Sequence, residues 1–290
     1  MKPLRTIAAV LALVSALATA QGEEAAKQKI VSLGGSVTEV IVELGALNQL
    51  VAIDQSSIYP KEKLAKLPQV GYYRQIGAEG VLSLAPTLVL TTSEAGPKEA
   101  LDQIKAAGVP VHVLPEKKTL AGAREKIEEI AKILGRTTEA QPVLAKFDAS
   151  LAEARGIVAG TASGKKPKVL FVMNSNGAGA FTVAGSATGV DEMIREAGGE
   201  NVASSLHSYQ SMSVEAITAT APDVVLVASG GGPSALTVET VSSSPALAGS
   251  PAVKNGRVSS ADLTLMAGFG PRCAEELKTL ALLLHGQPQK

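Results

Sequence analysis

Apolar positions along the chain fall into short continuous runs, and between them apolar residues recur at helical spacing. Lys29-Ile-Val-Ser-Leu33 has the pattern of a strand buried on both faces. Gly34-Gly35-Ser36 interrupts it, and Val37, Val40, Ile41 and Leu44 then lie on one helical stripe that Gly45 closes. Val51-Ala-Ile53, Leu88-Val-Leu90 and residues 109–114 read as three more strands, with a helix over 98–107 between the last two. Strands that alternate with helices pair as parallel βαβ units. Two helices are predicted next. One covers 120–134 and ends at Gly135; the other runs from Thr138 to about Val158, with Val143, Leu144, Phe147 and Leu151 on its apolar side and Pro142 in the first turn. At ~1.5 Å per residue the second would reach ~30 Å, enough to span two lobes. Residues 160–167 break the pattern, and Lys168-Val-Leu-Phe-Val172 restarts the chain as a strand.

The two halves repeat one another. Glu79 precedes Pro86 by seven residues and Glu215 precedes Pro222 by seven; each interval is helical, and a buried run follows each proline. The predicted organisation is an N-terminal α/β lobe over 28–136, a bridging helix over 137–161 and a C-terminal α/β lobe over 166–287. Two Rossmann-like lobes joined by one long backbone helix would hold a ligand in the cleft between them, at the carboxyl ends of the strands.

The first 20 residues are set apart. Lys2 and Arg5 precede the apolar stretch 7–17, and Ala18-Thr-Ala20 supplies the small-x-small pattern before polar Gln21-Gly-Glu-Glu24. This is a secretory signal peptide (1–20) with cleavage expected after Ala20, which sends the mature chain to the periplasm. Its apolar core is too short for a membrane span, and no Cys follows to carry a lipid.

Composition removes several classes of function. The chain of 290 residues carries 27 basic and 27 acidic residues with no basic block, so no nucleic-acid partner is expected. Its single cysteine, Cys273, rules out disulfides within the chain and Cys-based metal sites. Enzyme motifs fail on inspection. Residues 160–166 lack the spacing and the Ser/Thr of a phosphate loop, Gly177-Ala-Gly179 has Thr182 where a dinucleotide fingerprint needs its third glycine, and neither G-x-S-x-G nor H-E-x-x-H occurs. Of the three histidines, His112 sits in an apolar strand, His285 is expected to be solvated, and His207 lies in a polar loop that could face the cleft.

Chemistry concentrates in Leu67-Pro-Gln-Val-Gly-Tyr-Tyr-Arg-Gln-Ile76, which holds half of the four tyrosines beside an arginine. In an extended loop Tyr72 and Arg74 would share one side and Tyr73 the other. A ferric ion and a nearby guanidinium both favour the phenolate, Tyr is an axial ligand for haem iron, and Arg pairs with propionates. Packing of the loop by its own tyrosines is the alternative.

Ile30-Val-Ser-Leu-Gly-Gly-Ser-Val-Thr-Glu39, Val70-Gly-Tyr-Tyr-Arg-Gln75, Ala78-Glu-Gly-Val-Leu-Ser-Leu-Ala-Pro86, Ala184-Gly-Ser-Ala-Thr-Gly-Val-Asp-Glu-Met-Ile-Arg-Glu-Ala-Gly-Gly199 and Gly268-Phe-Gly-Pro-Arg272 resemble the periplasmic haem-binding proteins of bacterial haem ABC importers, class III periplasmic binding proteins. The similarity runs from about residue 29 to 285. It implies a monomeric carrier, not an enzyme, that takes ferric haem as cargo and passes it to an inner-membrane ABC permease. By the same resemblance Tyr72 ligates the iron, Arg74 steadies the phenolate, and Glu79 and Glu215 dock the permease. Some relatives add a His after the strand at 169–173. Here Asn174 and Ser175 stand there, which favours five-coordinate Tyr ligation and leaves Met173 and His207 as the sixth-ligand candidates. Tyr73 is a second candidate for the iron. The competing functions are a ferric-siderophore or cobalamin carrier of the same fold, an exported α/β enzyme using Glu79 or His207 as a base, and a structural or adhesive role.

Overall fold

The computed structural model describes residues 28–161, 164–176, 179–229 and 236–286; the expected signal peptide and residue 287 lie outside them, as do parts of the glycine-rich stretches at 160–166 and 177–179. The described residues form two compact units. One takes those up to Glu116 and Glu125–Val143, the other Lys117–Arg124 and those from Leu144 onward.

The first unit is built on strands β1 (Ile30–Leu33), β2 (Leu50–Ile53), β3 (Leu88–Thr92) and β4 (Val111–Leu114), in the order β2-β1-β3-β4. Every pairing is parallel, with Ile30 opposite Leu88 and Val89 opposite Val111. β1 and β3 are buried along their whole length, which is why their sequences read as unbroken apolar runs rather than alternating ones. Helices α1 (Gly35–Glu43), α2 (Lys61–Leu64), α3 (Ala78–Leu82), α4 (Lys98–Ala106), α5 (Leu120–Ile133) and α6 (Thr137–Gly160) follow in chain order. Val31, Leu33, Ala52 and Val89 pack on one face of the sheet against Val81, Leu101 and Ile104. Helix α6 starts at Thr137, so Pro142, expected in the first turn, falls in the second and removes one backbone hydrogen bond there. β4 is an edge strand that leaves His112 exposed.

The second unit carries β5 (Lys168–Ser175), β6 (Phe181–Ala184), β7 (Glu200–Asn201), β8 (Tyr209–Met212), β9 (Val224–Ser229) and β10 (Val258–Asp262), ordered β10-β9-β5-β6-β8 with β7 also on β5. Its helices are α7 (Gly189–Glu196), α8 (Val214–Thr220), α9 (Val238–Ser242), α10 (Pro251–Lys254), α11 (Leu263–Gly268) and α12 (Cys273–His285). Leu170, Val172, Phe181, Val183, Val225 and Val227 form its core with Ile217. This sheet is mixed, because β6 runs antiparallel to both β5 and β8. Only five residues join β5 to β6, too few for a parallel crossover and enough for a hairpin. His285 also departs from expectation: it is half-buried, and its Nε2 lies 2.8 Å from the Ala197 carbonyl.

The internal repeat has a backbone counterpart. Glu79 and Glu215 are each the second residue of a short helix, α3 and α8, and each helix feeds a strand pairing parallel with the first strand of its sheet. Ala85 and Ala221, the residues before Pro86 and Pro222, both turn left-handed, with φ of 48° and 45°. Proline disfavours a right-handed helical residue before it, which both alanines avoid.

Candidate functional site

Parallel α/β sheets present ligands at the carboxyl ends of their strands. In the first unit the segment that leaves β2 crosses that end as residues 54–77. Its return limb is stitched to the sheet edge. The Ile53 N–H donates to the Pro68 carbonyl at 3.0 Å, Val70 N–H to Ile53 at 3.0 Å and Gln55 N–H to Gly71 at 2.8 Å.

Asp54, fully buried at the end of β2, is the anchor beneath this segment. Its Oδ1 accepts from the Gly34 N–H at 2.9 Å and the Ser57 hydroxyl at 2.7 Å. Its Oδ2 accepts from the Ser56 N–H at 2.9 Å, the Ser56 hydroxyl at 2.7 Å and the Tyr73 N–H at 3.4 Å. A hydroxyl chain continues inward, Ser57 to Thr38 at 2.6 Å and Thr38 to Ser32 at 2.7 Å. The β1–α1 turn passes so close below that a Cβ on Gly35 would meet the Ser56 carbonyl oxygen at 2.5 Å. One buried carboxylate thus ties together the start of α1, the exit of β2 and the tyrosine turn.

Gly71, at φ 94°, redirects the chain into Tyr72, which is extended at φ −87° and ψ 131°. Tyr73–Gln75 then closes as a 3-10 turn, with the Gln75 N–H on the Tyr72 carbonyl at 2.8 Å. Gly96, in the loop after β3, holds this turn from the other side through its N–H to the Tyr73 carbonyl at 3.0 Å. The turn removes the alternation expected of an extended loop, and Arg74 folds onto Tyr73 instead of standing with Tyr72. Arg74 Nε donates to the Tyr73 hydroxyl oxygen at 2.9 Å, and the guanidinium carbon lies 5.3 Å from the Tyr73 ring centroid. Glu94, also after β3, closes the cluster. Its Oε2 accepts from the Tyr73 hydroxyl at 3.2 Å and forms an ion pair with Arg74 Nη2.

The two tyrosines therefore differ in kind. Burial pushes the Tyr73 phenol well above its ordinary pKa, and the hydrogen bond from Arg74 offsets only part of the rise. The Tyr72 ring meets the Tyr73 ring edge to face, with centroids 4.9 Å apart at 73°. Tyr72 is 40% exposed, and its hydroxyl has no hydrogen-bond partner among the described residues. It presents an oxygen with both lone pairs free at the carboxyl edge of the sheet, the form in which a phenol can ligate a ferric ion.

In the second unit Met173 lies near the corresponding end, among the last residues of β5, and His207 does not. The carboxyl ends of β5, β9 and β10 lie beside Met212, since Phe181 pairs with both Ser175 and Met212. His207 bridges Ser186, beyond the Ala184–Tyr209 pair, which places it at the opposite end of the sheet. The antiparallel β6 hairpin carries it there. Met173 is the extra residue of a β-bulge between Val172 and Asn174. Glu79 and Glu215 are exposed in the first turns of α3 and α8. The Glu215 carboxyl sits below its usual range, held by its own backbone N–H and the Ser213 hydroxyl.

Residues 30–263 match the family described as periplasmic binding protein. The chain belongs to that family. Among solved structures it is similar to the periplasmic heme-binding protein RhuT from Roseiflexus sp. RS-1, at 36% identity and a TM-score of 0.81, covering 89% of this chain and 98% of that one. Among curated proteins it is 28% identical to an uncharacterized ABC transporter substrate-binding lipoprotein, YvrC, of Bacillus subtilis over 88% of this chain and 79% of the relative. It is also 27% identical to a vitamin B12-binding protein of Vibrio parahaemolyticus over 68% and 70%. The resemblance drawn from the loop and helix motifs, and the two-lobed α/β class it implied, hold. The family and the solved relative are both described as binding proteins.

Sequence reasoning missed Asp54 and Glu94. Asp54 looks like any polar residue closing a strand, because its partners Gly34 and Tyr73 lie far from it in the chain. Glu94 could have been suspected from Thr91-Thr-Ser-Glu94, a polar run directly after a buried strand, the place where ligands meet such sheets.

Proposed function

We propose that this periplasmic binding protein carries ferric haem, with Tyr72 as the axial ligand, and delivers it to an inner-membrane ABC permease. The observation that carries the reading is the unpartnered, exposed Tyr72 hydroxyl on a loop fixed to the carboxyl edge of a parallel sheet. The heme-binding relative with 36% identity over nearly its whole length supports the cargo, and the ABC substrate-binding relative supports the partner. Arg74 contributes positive charge beside the iron site, and Glu79 and Glu215 offer exposed carboxylates to basic permease residues. The leader 1–20 exports the chain, with cleavage after Ala20, to act as a monomer in the periplasm.

The vitamin B12-binding relative favours a second cargo, a corrinoid on the same fold. Titration of the purified protein with ferric haem, and separately with cobalamin, separates the two. The haem reading expects saturable binding with a ferric–phenolate charge-transfer band, lost in Tyr72→Phe. Saturation by cobalamin with no haem complex would assign the corrinoid instead.

A further inference from the structure

Two adjacent phenols stand on one turn, and the resemblance that assigns the iron to Tyr72 gives no physical reason for passing over Tyr73. Resting on the haem reading, we infer that Glu94 decides between them: by holding the Tyr73 hydroxyl and Arg74 together, it withdraws Tyr73 and leaves Tyr72 as the only phenol free to ligate. Ligation needs an accessible oxygen lone pair and a hydroxyl proton that can leave as the Fe–O bond forms. Tyr72 satisfies both. Its oxygen is unpartnered among the described residues, and its proton passes to solvent at the exposed side.

Tyr73 lacks the first. Its oxygen receives Arg74 Nε at 2.9 Å while its hydroxyl is turned onto Glu94 Oε2 at 3.2 Å, so the phenol is held by the cluster on both sides and is not presented to a ligand. Arg74 alone would not produce this result, because a guanidinium donates without accepting and leaves the phenol proton free. Glu94 supplies the acceptor, and the same oxygen fixes Arg74 Nη2, so the three side chains lock as a closed triangle. Glu94 comes from the loop after β3 and the tyrosines from the return limb of the β2 loop, with β1 between their strands. The selection is therefore a property of the folded sheet end and not of the loop itself.

The test uses the full chain and ferric haem, read by absorption and resonance Raman spectroscopy. Tyr72→Phe is expected to lose the ferric–phenolate band. Adding Glu94→Ala should restore such a band, now from Tyr73, and adding Tyr73→Phe to that pair should abolish it again. Glu94→Ala alone should keep the Tyr72 band, which also reports that the loop is folded. Glu94→Gln, which keeps the side-chain volume, should restore the band in Tyr72→Phe as well, at lower occupancy because its amide oxygen still accepts. Persistence of the band in Tyr72→Phe with Glu94 intact overturns the inference. So does its absence from the Tyr72→Phe variants carrying either Glu94 substitution, or its loss in Glu94→Ala alone. A wild-type protein without any phenolate band instead overturns the haem reading on which the inference rests.

Discussion

Asp54 shows how much of this site hangs on a single side chain that never reaches solvent. Five donors converge on its carboxylate, three of them backbone N–H groups at the start of α1, in the β2 exit and in the tyrosine turn. Removing it leaves those donors without an acceptor, at about 1–3 kcal/mol for each one that stays buried. Asp54→Ala should thus lose about 3–5 kcal/mol in urea unfolding, since part of the set will find water. A loss below about 1 kcal/mol would show that the anchor is dispensable. Asp54→Asn, which keeps one acceptor oxygen, should fall between. None of this is visible along the chain, where only neighbours in sequence reveal themselves through periodicity.

Among the elements, the repeated helix–proline–strand step is the clearest case of sequence dictating structure. The equal spacing from Glu to Pro in both halves foretold α3 with β3 and α8 with β9. It did not foretell that Ala85 and Ala221 turn left-handed, a conformation costing a non-glycine residue about 1–2 kcal/mol. Glycine relieves that strain but loses about 0.5–1 kcal/mol of chain entropy on folding. Ala85→Gly and Ala221→Gly should each therefore raise unfolding stability by about 0.5–1 kcal/mol, and additively, because the two sites lie in different units. Equilibrium unfolding of the single and double variants checks both size and additivity; destabilisation by either would refute the strain. The buried parallel strands and the long helix were legible because apolar runs and helical spacing extend over many residues. β6, β8 and the Tyr73–Gln75 turn were not: polar Thr182, Gln210 and Ser211 interrupt the apolar runs of the two strands, and the turn owes its shape to Gly96 and Asp54.

On the proposed haem-carrier reading, receiving cargo and handing it over should be separable. Glu79 and Glu215 lie on short exposed helices, one in each unit, outside the Tyr72–Glu94 cluster. Glu79→Lys and Glu215→Lys should leave the haem spectrum unchanged while abolishing stimulation of a reconstituted haem permease. Loss of the spectrum in either would assign that glutamate to cargo binding instead. Handing over also meets the backbone stitching of Pro68, Val70 and Gly71 to the edge of β2. Tyr72 rides on the sheet as a perch and not as a finger. An incoming ligand then spends little entropy ordering the loop, which tightens its hold. If Tyr72 holds the cargo as proposed, a loop stitched this way offers no hinge at its return limb for letting go, and dissociation is expected to be slow until a receiver acts on the bound molecule.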